Sequence, residues 1–132
     1  MAQQIEGRAR ELLEAPNFAT VATLRKDGTP HVTPAWVDVQ DDRVVLNSAR
    51  GRVWPANLER DPHVTVTVQN HDNPYEYVSI RGHVAEMTEE GADAHIDALA
   101  KKYLGVDEYP SRQPGERRVI VRVEPDRVVH HG

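Results

Sequence analysis

The sequence predicts a mainly β protein, a small antiparallel barrel with short flanking helices. About six stretches rich in Val and Thr read as strands against only three helix candidates. No strand–helix–strand alternation marks a doubly wound parallel sheet. Several strands carry small or apolar residues in both alternating sets, as Phe18 to Leu24 does, which suits a closed or packed sheet more than a half-solvated one. At 132 residues the chain is sized for one domain, residues 1–132, with an N-terminal helix in 1–15 and the barrel core in 17–129.

The elements follow in order. Ala2 to Glu14 places Ile5, Ala9, Leu12 and Leu13 on one helical stripe, and Pro16 blocks its extension. Phe18 to Leu24 and His31 to Val39 are strands joined by Lys26-Asp-Gly-Thr29, where Asp-Gly supplies the positive backbone angles of a tight turn. Asp41-Asp42 leads into Arg43 to Asn47, so the first three strands are expected to form a meander. Gly51 to Arg60 is a short helix that accepts Pro55 only within its first turn. His63 to Gln69 alternates strictly, Val64, Val66 and Val68 facing one way. After the loop His71 to Pro74, Tyr77 to Glu86 is a long strand with a bend or bulge at Gly82. The last helix runs from Glu89 to Leu104, with Ala92, Ile96, Leu99 and Tyr103 on its stripe, Thr88 as N-cap and Gly105 as C-cap. Asp107 to Glu116 is a loop, and Arg117 to Val123 with Arg127 to Val129 complete the sheet.

Composition closes several chemistries. The absence of cysteine removes disulfides, thiolate nucleophiles and iron–sulfur clusters. A formal charge of −5 disfavours a general affinity for nucleic acid or anionic lipid. No run reaches the roughly 18 to 20 apolar residues of a membrane span, and the opening residues lack a basic segment followed by an apolar one, so a cytoplasmic location is expected. None of the seven histidines sits in metal-site spacing, and no Gly-x-Ser-x-Gly elbow is present, so neither a metal site nor hydrolytic catalysis is expected.

The sharpest feature is Asn47-Ser-Ala-Arg-Gly-Arg-Val-Trp-Pro-Ala-Asn57, where a strand ends, a hydroxyl and an amide follow, and two arginines flank a glycine before a helix. Free N–H groups at the helix start, the Ser48 hydroxyl and bidentate arginine suit a phosphate; the competing reading has Ser48 capping the turn and both arginines solvated. Pro34 and Trp36 interrupt a strand, which places them at an edge or bulge where a ligand can lie, although Trp36 equally fits a core. Arg112, Arg117, Arg118 and Arg122 follow the proline-rich loop as either a solvated sheet surface or a cradle for an acidic partner.

In one order, Ala19-Thr-Val-Ala-Thr-Leu24, Asp27-Gly-Thr-Pro-His-Val-Thr-Pro-Ala-Trp36, Asn57-Leu-Glu-Arg-Asp-Pro62 and Tyr77-Val-Ser-Ile-Arg-Gly82 resemble the pyridoxamine 5'-phosphate oxidase-like split-barrel family, in its actinobacterial branch that uses the deazaflavin coenzyme F420. Gly91 to Gly105 and Tyr109 to Glu116 resemble the same branch. The resemblance implies a six-stranded split β-barrel of the FMN-binding type, a homodimer with two cofactor grooves along the subunit interface, and hydride transfer between F420 and an oxidised small organic substrate such as a quinone or tetrapyrrole. It places the ring against Val32, Thr33, Pro34 and Trp36, and the phosphate at Asn47, Ser48, Arg50, Arg52 and Asn57. Relatives often carry lysine where this chain has Trp54, so one cationic phosphate contact is missing. An FMN-binding oxidase or flavin carrier, and a non-catalytic cofactor- or tetrapyrrole-binding protein, remain as alternatives. No catalytic residue is assigned; Tyr75, Tyr77 or a bound water are the proton donors to consider.

Overall fold

The computed structural model describes residues 3–132. Its elements are α1 (Gly7–Glu14), β1 (Ala19–Leu24), β2 (Pro30–Ala35), β3 (Val37–Gln40), β4 (Arg43–Ala49), α2 (Val53–Arg60), β5 (His63–Gln69), β6 (Tyr77–Thr88), α3 (Ala92–Leu104) and β7 (Arg118–His131). The first helix is shorter than expected. Ala2 lies outside the described residues, and Ile5 precedes the helix, buried with its N–H donating to Asp42 Oδ1 at 3.0 Å.

All seven strands join one antiparallel sheet in the order β2-β1-β5-β6-β7-β4-β3. The two edges, β2 and β3, are consecutive in the chain and separated only by Trp36. One short segment therefore holds both edges of the sheet together, and the sheet must curl into a split barrel to allow it. This corrects two expectations. His31 to Val39 is two strands: Ala35 lies opposite Ala19 at one edge and Val37 opposite Leu46 at the other, so β1–β2 and β3–β4 are separate hairpins instead of a meander. Pro34, with no N–H to give a further neighbour, suits such an edge. The strand count is seven instead of six, with Arg117 to Val129 contributing one long strand, β7.

The barrel interior is filled by alternate residues of the strands other than β2, among them Val21, Leu46, Val66, Ile80 and Val121, with Leu12 and Leu13 of α1 added and Ala35 of β2 packed against them. A second, small cluster of Val45, Ala92 and Ile120 seats α3 on the outer face of β4 and β7. The expectation that β1 is packed on both faces fails: Ala19, Val21 and Thr23 are buried, while Thr20 and Leu24 are exposed and Phe18 keeps 58% of its surface. The outer face of β2-β1-β5 is uncovered in the single chain. None of the helices is long and apolar enough to cross a membrane among the described residues.

Local signals explain most boundaries. Asp27 Oδ1 accepts from the Thr29 N–H at 3.0 Å, and Gly28 adopts φ 86° in the hairpin. Helix α3 ends as expected at Gly105, whose N–H donates to Lys101 O at 3.0 Å with φ 72°. Its start differs from expectation. Thr88 closes β6 and its hydroxyl accepts from the Glu90 N–H at 3.1 Å, and the chain turns into the helix three residues later through Gly91.

Gly82 sits where the β6–β7 register shifts. A Cβ there would lie 2.4 Å from Glu124 O and 2.8 Å from Val123 Cγ1. Gly82→Ala is therefore expected to cost about 1 to 3 kcal/mol by overpacking, measured by thermal unfolding; an unchanged melting temperature would mean that the bulge yields freely.

Candidate functional site

The β2 edge, the start of α2, α3 and the loop before β7 enclose a groove of about 440 Å³. Its walls are aromatic. Trp36 stacks on Tyr103 with centroids 5.3 Å apart and an interplanar angle of 6°, and meets Tyr109 edge-on at 5.9 Å. The Tyr103 hydroxyl accepts from the Val37 N–H at 3.0 Å and donates to Asn17 O at 2.6 Å, and burial pushes its phenol up to about 12. These bonds fix α3 against the chain break at Trp36. Trp54 and Phe18 complete the apolar lining, and His31 and Thr33 project from β2. His31 Nδ1 is buried without a hydrogen-bond partner.

At the polar side of the groove Arg118, the first residue of β7, has a side chain only 3% exposed. Its Nε donates to Asn47 Oδ1 at 3.0 Å, its Nη1 donates to Glu116 Oε1 at 3.1 Å, and its guanidinium lies 5.1 Å from the Tyr109 ring centroid. Arg52 reaches the other oxygen of Glu116 at 3.9 Å and stays half exposed. Guanidinium only donates, so the Asn47 oxygen faces Arg118 and the Asn47 amino group faces Ala92 O and His95 Nδ1, each at 3.0 Å. His95 Nδ1 therefore accepts, and the ring proton sits on Nε2.

His95 is neutral for a second reason: burial pushes it below the ordinary imidazole range, Arg122, Arg118 and Lys102 push the same way, and Asp38 opposes them. A depressed histidine adds nothing while both folded and unfolded forms are neutral. As pH falls through about 6.5, the unfolded chain takes up the proton first and the native state loses stability. Denaturation midpoints should thus fall below that pH more steeply in the wild type than in His95→Gln; parallel pH profiles would refute this.

Of the nine positions nominated from sequence, Thr33, Pro34, Trp36, Asn47 and Arg52 line the groove. Val32 is 59% exposed and lies across from Ala22, outside it. Ser48 is buried on the opposite face of β4 from Asn47, its hydroxyl without a partner. Arg50 is engaged with Glu59 and, at 3.4 Å, with Glu89. Asn57 donates to Thr23 Oγ1 at 3.0 Å and accepts from Arg60 at 3.1 Å, tying α2 to β1. The basic cluster does not form one patch. Arg112 pairs with Asp93 and Asp97, Arg117 with Glu89 and Arg122 with Glu86, while Arg118 turns inward. Tyr75 is exposed in its loop and Tyr77 stacks on His131, so neither lines the groove. Trp54, where the resemblance leaves a cationic phosphate contact missing, is only 6% exposed and belongs to the core with Leu58. Sequence reasoning passed over His31, Tyr109 and the inward turn of Arg118. The signal for the last was its place two residues before Ile120, on the face of β7 that α3 covers.

A curled antiparallel sheet closed by one continuous edge segment, with an aromatic groove beside that segment, defines a split barrel. The chain belongs to the pyridoxamine 5'-phosphate oxidase family, whose model matches residues 5–132. Among solved structures it is similar to an F420 reductase, at 28% identity and a TM-score of 0.82, covering 95% of this chain and 98% of that one. It is similar also to a conserved hypothetical protein of Mycobacterium tuberculosis, at 26% identity and TM-score 0.75, covering 99% and 88%. General stress protein 26 of Bacillus anthracis, at 17% identity and TM-score 0.65 over 92% and 88%, shares the fold. A search of curated proteins returns no match.

Proposed function

We propose that this chain is a cytoplasmic F420-dependent oxidoreductase that works as a homodimer. The observation that carries the reading is the groove itself, in which a tryptophan-lined wall ends at two arginines leaning on one carboxylate, Glu116. Such a site fits a flat ring bearing an anionic chain. Its buried, unpartnered His31 Nδ1 offers a further polar contact, and its volume lies within the usual range for small-molecule sites. The likeness to an F420 reductase supports the deazaflavin over other rings.

When bound, the reduced cofactor supplies a hydride to an oxidised organic substrate, and solvent supplies the balancing proton. The chain positions and shields. Pro34, Trp36 and Trp54 bound the ring's slot and exclude water from it. Arg52, held only at 3.9 Å by Glu116, is free to turn to a phosphate, whereas Arg118 is fixed and lends its field. Thr33 and Asn47 line the same slot, while buried Ser48 packs in β4 and Arg50 and Asn57 brace the helix that follows Arg52. A second copy would cover the exposed Phe18 and Val32 beside the β2 edge.

Arg52→Ala is expected to weaken F420 binding by about 1.5 to 3 kcal/mol, the worth of hydrogen bonds to a charged group, and to leave the fold intact. Unchanged affinity would return Arg52 to the solvent. Oxidation of reduced F420 followed against quinones, biliverdin and nitro compounds tests the activity. Turnover of at least one acceptor is expected. Binding without turnover would favour a cofactor carrier, and a yellow protein with bound FMN would favour the flavin reading that the family match also supports.

A further inference from the structure

We infer that the outer face of the sheet carries a second anion-binding site, built on Arg81 and Arg127, for an organic molecule with a carboxylate or phosphate on an apolar body. The two residues are direct cross-strand partners on β6 and β7, and both are exposed. Like charges placed opposite one another destabilise a sheet. A chain with 21 acidic residues has partners to offer. Among the described residues, eight of the thirteen arginines pair with a carboxylate; Arg25, Arg43, Arg60, Arg81 and Arg127 do not, and of these five Arg81 and Arg127 alone face each other across a strand pair.

The neighbouring bulge explains how the arrangement arises. Arg127 faces Arg81 and Pro125 faces Gly82, so Asp126 is the extra residue of β7. Its carboxylate is taken up by His83 Nδ1, at 3.0 and 3.1 Å, and not by either arginine. Bulges of this kind re-aim side chains, and here the adjacent acid is bonded to His83 and forms no ion pair with either arginine. Both arginines line a cavity of about 560 Å³, separate from the aromatic groove, whose wall also includes Leu24, Pro30, Thr65 and the His83-bound Asp126. Two planar donors beside an apolar wall and a hydroxyl suit an anionic head with a carbon body.

The test uses inorganic phosphate, titrated calorimetrically into the native protein and into Arg81→Gln, Arg127→Gln and the double variant at constant ionic strength. Each single change is expected to weaken one phosphate site by about tenfold, the loss of one charge-assisted hydrogen bond. In phosphate-free buffer the variants should melt at the same or a higher temperature, because a like-charge contact has been relieved. Arg52→Ala should keep this site, so its behaviour and that of the cofactor groove are read separately. Phosphate affinity equal in native and double-variant protein overturns the proposal. So does a lower melting temperature in the variants, or a loss of dimer mass in light scattering, since the arginines would then serve the fold or the contact between copies.

Discussion

Arg118→Ala is expected to destabilise the protein by about 3 to 5 kcal/mol, the range for breaking one side of a buried ion pair. The Glu116 side chain, 8% exposed, would keep only Arg52 at 3.9 Å, and Asn47 Oδ1 would lose its donor. The disturbance should then travel along the network, because the orientation of the Asn47 amide is what holds His95 Nδ1 as an acceptor. Removing both charges with Arg118→Met and Glu116→Gln should recover much of the loss, since a buried pair contributes little net stability against well-packed neutral groups. Chemical denaturation of the single and double variants checks this. A single variant within about 1 kcal/mol of the native protein would mean that water replaces the guanidinium without penalty.

Trp54→Lys should have a comparable effect, a loss of about 3 to 5 kcal/mol, combining removal of a large buried aromatic with burial of a charge. Trp54 and Leu58 stand one turn apart on α2, and both enter the barrel core. A lysine here would have to reach solvent past that packing. Trp54→Phe should retain most of the stability. A Trp54→Lys protein that melts like the native one and binds phosphate-bearing cofactors more tightly would show that this position opens to solvent after all.

Those two residues also show what the chain's pattern conveys and what it does not. Short-range chemistry was legible: the Asp-Gly hairpin, the alternation of β5, the bulge at Gly82 and the glycine that ends α3 each depend on a few adjacent residues. Closure was not. Nothing within His31 to Val39 says that its two halves pair with strands at opposite edges, because that choice is made by β1 and β4, which lie apart in sequence. The arginines follow the same logic. Arg112, Arg117, Arg118 and Arg122 look alike in a list of charges, but the fold gives three of them surface acids and draws the fourth under Tyr109. Of the edge or bulge that Pro34 allowed, the structure has the edge, while Trp36 lies between two strands and not within one.

The chain has only two tryptophans, and both line the groove. Titration with oxidised F420 while following tryptophan fluorescence is therefore the most direct test of the groove as the cofactor site. Saturable quenching of nearly all the emission is expected, at one F420 per chain, with a weaker constant for Arg52→Ala. Emission that F420 leaves unchanged up to millimolar concentration, or quenching that is identical in Arg52→Ala, would contradict the assignment.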